Sequence, residues 1–134
     1  MKQEDKDLLL KDLCGRLPYS VKIQTIDIWT NKSNKIETLN DIFIPEDNIP
    51  RCGEGGVPIE YVKPYLFPIS SMTEEQKSEF FARFIELELK YLNGKIKHYE
   101  IAQFEIDFYN KKHLDYRGLI PKELALDATG LNIY

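Results

Sequence analysis

Five consecutive positions, His113–Leu114–Asp115–Tyr116–Arg117, hold an imidazole, a carboxylate, a phenol and a guanidinium, and Gly118 follows them. Such a set can do acid–base work, because an imidazole titrates near neutrality and a neighbouring carboxylate or guanidinium can orient it. With His113 as general base the chain would be a small hydrolase or transferase, provided a nucleophile lies within hydrogen-bond reach. If residues 113–117 are extended, alternate side chains share a face. His113, Asp115 and Arg117 then form a polar trio over an apolar pair, Leu114 and Tyr116. If they are helical, His113 and Arg117 stack at i, i+4 and Asp115 points away. Gly118 and the end of a preceding helical pattern favour the extended form. A local Asp–Arg pair at a turn is commonplace and can simply anchor the chain. The structural reading ranks first, a contact surface second, and catalysis third.

Other chemistry is less well supported. The cysteines and histidines are Cys14, Cys52, His98 and His113. Zinc sites use ligands paired two to four residues apart, and none of these four is so paired. No metal and no other cofactor is indicated. Cys14 lies among leucines and reads as a small hydrophobe. "RCGEGGVP" (51–58) has three glycines but no Lys-Ser/Thr and no helix start to aim amides at a phosphate. It reads as a strand connection whose glycines supply positive φ. No Gly-x-Ser-x-Gly elbow supports a nucleophile, so no catalytic residue is assigned. Lys22, Trp29, Lys32, Lys35 and Lys63 interleave cations with aromatics in the strand region, a pattern that can stack bases and hold phosphates. Large aromatics in a small domain are more often core, and this holds for Trp29, Tyr65 and Phe67.

The elements that position these residues follow from periodicity. Leu9, Leu10, Leu13 and Leu17 form one stripe of a helix over 5–17, which Pro18 ends. "SVKIQTIDIWT" (20–30) is a β-branched strand. Its apolar phase changes between Val21/Ile23 and Ile26/Ile28, which suggests a bulge or bend near Gln24–Thr25. Residues 36–44 give a second strand or strand pair with a possible turn at Asn40–Asp41. "IEYV" and "KPYLFP" are extended. Ser71 with Glu74, and Thr73 with Gln76, both fit a capping box for a helix reaching about Asn93, with Gly94 at C′. Phe80, Phe81, Phe84, Ile85, Tyr91 and Leu92 are expected on its buried side. A further helix covers 100–112 on Ile101, Phe104 and Phe108. Pro121 can open a short last helix, "PKELALDA".

Strands grouped before helices argue an α+β fold. The expected architecture is an N-terminal helix, a small bent antiparallel sheet and C-terminal helices packed on it; an SH3-like partial barrel is one form the sheet could take. One domain, 1–134, is expected, β-rich over about 20–68 and helical over about 71–128.

Bulk properties agree. Of 134 residues, 43% are hydrophobic and 30% charged, which excludes global disorder. The net charge is −4, and residues 1–72 and 73–134 each carry 9 basic and 11 acidic groups. Without a basic half, generic phosphate-backbone binding is not expected from charge. The start, "MKQEDKDLLLKDL", lacks an apolar signal region, and no run is long enough to span a membrane. Two cysteines make no disulfide framework, so a cytoplasmic setting is the default expectation.

Three patches together resemble a known family. "KDLCGRLPYSVK" (11–22), "VKPYLFPISSMTEEQ" (62–76) and "IDFYNKKHLDYRGLIPKELALDA" (106–128) are similar to an uncharacterised family of small proteins abundant in Bacteroides and related gut bacteria and their phages or prophages. Its pattern runs approximately KDLCxRLPYGVK, KPYLRPMSSMTEEE, DWLNxxHFDYRGLIxKGLA. The similarity covers over a third of the chain. Ser20 stands where the family has glycine, Phe67 where it has arginine, Phe108 and Tyr109 where it has Trp-Leu, and Pro121 replaces an acidic residue. The resemblance implies a setting and no chemistry: a bacterial, mobile-element-associated, cytoplasmic accessory protein. The leading expectation is therefore a non-enzymatic interaction module with an unknown protein partner and no membrane association. Its "RLPY", "KPYL" and "HLDYRG" turns would converge on one surface, with Tyr19, Tyr65, His113, Asp115, Tyr116 and Arg117 as contacts. Nucleic-acid binding is the alternative, and the His113-based enzyme the second alternative.

Overall fold

The structure, a computed structural model, describes residues 1–26 and 33–134, and residues 33–35 by their backbone. Helix α1 (Gln3–Arg16) carries the leucine stripe. Leu9 and Leu13 are fully buried, and Leu10 and Leu17 pack at the edge of the same core. Burying each of the first two contributes about 1.5–3 kcal/mol. The helix ends two residues before Pro18, and a 3-10 turn (Leu17–Tyr19) leads into Ser20.

Strands β1 (Lys22–Ile26) and β2 (Ser33–Thr38) pair antiparallel, with a register shift between Gln24 and Ile26. Two steps along β1, Gln24 to Ile26, oppose three along β2, Ile36 to Ser33, so the extra residue lies in β2; β1 itself keeps its alternation, with Ile23 and Thr25 both buried. Val21 and Ile23 are fully buried; Trp29 and Ile28 lie outside the described residues. Residues 36–44 do not form a hairpin about Asn40–Asp41. Leu39 is buried and its amide bonds to Val21 O at 2.9 Å, which anchors the chain in the core. Beyond it, β3 (Ile42–Phe43), β4 (Arg51–Cys52) and β5 (Val57–Pro58) form a separate three-stranded sheet. The glycine-rich loop joins β4 to β5. Gly53 has φ +76°, a left-handed conformation that favours glycine, and a Cβ there would also push the Glu37 carboxylate aside.

A 3-10 turn at Ile59–Tyr61 leads into β6 (Val62–Leu66), which replaces the expected strand start in "IEYV". Helices α2 (Glu74–Leu92) and α3 (His98–Lys111) follow as an antiparallel-connected hairpin. Of the two overlapping cap signals, Thr73 with Gln76 is used: Gln76 N donates to Thr73 Oγ1 at 3.1 Å and Thr73 N to Gln76 Oε1 at 3.0 Å. Gly94, with φ +69°, closes α2. Phe80 stacks on Phe104 with centroids 5.3 Å apart and meets Phe108 edge-on at 5.2 Å, which joins the two helices.

No helix forms over 121–128. Glu123 is left-handed at φ +59°, which a helix cannot contain. The segment instead turns and adds β7 (Leu126–Asp127) parallel to β6. Leu124, Ala125 and Ala128 are buried there. The main sheet therefore runs β2-β1-β6-β7 and is mixed, antiparallel except at its last pair. The α+β class, with its N-terminal helix and C-terminal helices, is as the residue patterns indicate.

Candidate functional site

The "HLDYRG" stretch is a junction between the main sheet and the helices. His113 leaves α3 in the left-handed region, φ +58°, and turns the chain back along β6. Phe67 N donates to His113 O and Asp115 N to Phe67 O, both at 2.8 Å, so Leu114 pairs in parallel with Phe67 as an extension of the sheet. Leu114 is buried as expected, but so is Asp115, at 7% exposure. The extended reading thus holds at Leu114 while the polar trio does not form one outer face. The left-handed turn at His113 and the buried Asp115 break the alternation.

Asp115 is held by backbone rather than by Arg117. Its Oδ1 accepts from Leu119 N at 2.7 Å and its Oδ2 from Ile120 N at 2.8 Å. A carboxylate on two amides is a strong brace for the turn at Gly118. Arg117 turns the other way, with Nε 3.4 Å from Asp12 Oδ1 and a hydrogen bond from its guanidinium to the Tyr116 hydroxyl at 2.9 Å.

The centre of the junction is a pair from α1. Asp12 and Arg16 are both fully buried and sit one turn apart. Arg16 Nε donates to Asp12 Oδ2 at 2.7 Å, and a terminal guanidinium nitrogen donates to Leu114 O at 2.7 Å. Burial pushes the Asp12 carboxyl above its ordinary 3.8, with Arg16 the chief opposing influence. The guanidinium groups of Arg16 and Arg117 lie 5.4 and 4.8 Å from the centre of the Tyr116 ring, which also stacks on Tyr109 at 5.4 Å. Helix α1 approaches α3 closely here: a Cβ on Gly15 would come within 3.2 Å of Asn110 Nδ2.

His113 faces Tyr134, with ring centroids 3.8 Å apart and planes 15° from parallel. The Tyr134 hydroxyl donates to Tyr65 O at 2.6 Å and accepts from Lys22 N at 2.9 Å, so it pins β1 to β6. Burial pushes His113 down to about 4, assisted by the positive charges of Arg16 and Lys22. An imidazole so shifted is a weak proton acceptor at neutral pH, and the Tyr134 ring covers one of its faces. The geometry suits a packed aromatic better than a general base.

The three turns therefore do meet. Arg16 of "RLPY" bonds to Leu114, and Phe67, next to "KPYL", pairs with it. They meet as an interior junction and not as an exposed surface. Tyr65 is buried at 6% exposure, and burial of Tyr65 and Asp115 removes both from reach of a partner. Tyr19 is half-buried, and its phenol pKa is raised by burial first, then by the negative charge of Asp107 on α3 and the hydrogen bond to it. Arg117 keeps 17% side-chain exposure. Asp12, Arg16 and Tyr134 were not singled out by residue type. Asp12 and Arg16 stand at i, i+4, a spacing that signals a helical ion pair but not its burial.

For the nucleic-acid alternative, Lys22 Nζ donates to Thr38 Oγ1 at 2.6 Å. Lys63 lies half-buried on β6. Trp29 and Lys32 lie outside the described residues, and Lys35 is described by its backbone alone. Cys14 is exposed, not packed among the leucines, because it falls on the outer side of α1; Cys52 is the buried thiol, pushed up to about 12 by burial. Among the described residues, no three His, Cys, Asp or Glu gather as a metal site, and no helix is long and apolar enough to cross a membrane.

The feature that residue types did not single out is the outer face of α2. Phe80 and Phe84 point inward and Leu87 is buried, but Phe81, Ile85, Leu89 and Leu92 are exposed by 56%, 57%, 56% and 74%. Tyr91, beside His98, is also exposed. The expected single buried side of α2 is thus two faces: α3 covers one, and Phe81, Ile85 and Leu92 belong to the other. No family model, curated protein or solved structure matches the chain.

Proposed function

We propose that the chain is a non-enzymatic interaction module, an accessory protein of the phage- or mobile-element-associated kind that the resemblance implies, and that its contact surface is the outer face of α2. One observation carries this reading. Four large apolar side chains in register along one helix face are each more than half exposed. Clusters of this kind on small domains mark interaction sites more often than scattered single residues do. Covering them on docking would contribute roughly 1–2 kcal/mol per side chain, by the usual transfer scale for half-exposed residues. The charged groups that could have done chemistry are occupied with structure: Asp115 braces two amides and Arg16 bridges Asp12 and Leu114, while His113 is stacked on Tyr134 with its buried Nδ1 making no hydrogen bond.

A photoreactive phenylalanine at position 92 tests this. Irradiation in expressing cells should yield a covalent adduct that Ile85→Glu abolishes. The same probe at Glu79, which is directed toward Lys112 of α3 and lies off that face, should yield none. A bare protein at both positions would rule the docking face out.

A further inference from the structure

We propose that the partner of the α2 outer face is a second copy of this chain, the two α2 helices pairing antiparallel about a two-fold axis with each α3 on the far side of its own α2. This rests on the reading of that face as a docking surface and adds its occupant.

The spacing along the face is that of a helix–helix seam. Ser78, Ala82, Ile85, Leu89 and Leu92 follow one another at intervals of 4, 3, 4 and 3 residues. That is the alternation of a and d positions in helices that cross at a shallow angle. Ala82 and Ser78 are exposed along with the three larger residues. The seam is turned away from Phe80, Phe84 and Leu87, so α2 can receive another helix without disturbing α3. Helix α2 thus carries two opposed apolar faces; among the described residues α3 covers one, and the other is left open to a second neighbour.

Self-pairing is favoured by the order of side-chain sizes. The seam is small at its N-terminal end (Ser78, Ala82) and large at its C-terminal end (Leu89, Leu92). Two antiparallel copies centred near Leu87 bring Ala82 of one opposite Leu92 of the other, and Ile85 opposite Leu89. Small then meets large at both ends, and the seam fills. A parallel pair would set alanine on alanine and leave a gap. A two-fold arrangement is also the commonest way for one patch to satisfy itself.

The area is adequate but not generous. Four side chains more than half exposed offer roughly 400–500 Å² per copy, on side-chain areas of about 150–250 Å². A symmetric pair with its flanking contacts reaches about 1,200 Å², the lower bound for a specific interface. An interface at this small end of the size range is expected to pair weakly, in roughly the micromolar range. Near the axis, each Glu86 has its charge offset by Arg83 at 2.9 Å and Lys90 at 3.3 Å. Glu88 lies on the other flank, where it approaches its own symmetry mate.

Sedimentation of the purified full chain up to about 500 μM tests this over the expected range. The wild type should pass from one to two chain masses. Leu89→Glu and Ala82→Glu should both abolish the shift while leaving the circular dichroism and melting temperature nearly unchanged. Glu88→Gln should tighten pairing several-fold. A wild type that stays monomeric throughout, or a Leu89→Glu variant that pairs as tightly as wild type, overturns the proposal. The probe at position 92 separates the two readings. A monomer whose probe captures a different protein refutes self-pairing and leaves the docking face standing; a monomer with no adduct refutes both.

Discussion

Replacing Arg16 by methionine should cost about 3–5 kcal/mol, the typical penalty for removing one partner of a buried ion pair. Two bonds go at once. Asp12 loses its 2.7 Å donor and keeps only Arg117 Nε at 3.4 Å, and the Leu114 carbonyl loses its 2.7 Å guanidinium contact. Asp12 is fully buried, so water cannot replace the missing charge without opening the junction. Small domains hold about 5–15 kcal/mol in all, so the variant should be near its threshold, with a melting temperature lower by more than about 10 °C. The effect should depend on pH with a definite sign. Asp12 is already pushed above 3.8 by burial. Without Arg16 it rises further, so the folded state takes a proton more readily than the unfolded chain. The variant's deficit is then largest above that raised pKa and shrinks as pH falls through it. Urea midpoints of wild type and variant at pH 7 and pH 5 read both quantities. Measuring the difference at each pH cancels titrations common to the two proteins. The double replacement Asp12→Leu with Arg16→Met should recover most of the loss, because a well-packed apolar pair removes the stranded charge. A single-variant deficit under about 1 kcal/mol, or one that grows on acidification, would refute the reasoning.

Three further outcomes follow from the same junction. His113 has its pKa lowered from 6.5 to about 4, so its neutral form is favoured on folding; the stability it contributes is complete above about pH 6.5 and is lost as pH falls toward 4. His113→Asn, which tolerates φ +58°, should flatten that dependence, and an unchanged acid slope in denaturation would count against it. Tyr134→Phe keeps the stack on His113 but deletes the bonds to Tyr65 O and Lys22 N, so it should cost about 1–2 kcal/mol. Hydrogen exchange at the Lys22 amide should quicken with it, and an unaltered rate would show that the hydroxyl does not pin the strands. Ser20 and Glu123 are left-handed, at φ +56° and +59°, a conformation in which a β-carbon is strained and glycine is not. Ser20→Gly or Glu123→Gly should each be neutral to stabilising by up to about 1 kcal/mol, read as a rise in melting temperature.

Much of the local structure was legible from side-chain pattern. The α1 stripe, the Thr73–Gln76 box and the Gly94 cap depend on neighbours a few residues away, and local chemistry determines them. The last segment misled for a definable reason. Pro121 and the alanines suit a helix, but Ala128 N bonds to Leu66 O at 2.8 Å and β6 takes Leu126 as a parallel partner. An unpaired sheet edge outweighed a weak local preference. α2 misled differently, because its apolar residues ring more of the helix than α3 can cover.

By itself the sequence determined the class of the fold, the approximate extents of its three long helices, and which residues could do chemistry. Tertiary structure decided what those residues do. Arg16 and Leu114 are 98 positions apart, and no periodicity reports their bond. Once α1 docks on the sheet and α3 returns beside it, Asp12, Arg16 and Asp115 are taken out of water, and a buried polar group must be paired. "HLDYRG" therefore became a junction. The outer face of α2 became a surface for the converse reason: the hairpin stands with only one of its apolar faces covered, and burial depends on which neighbours arrive.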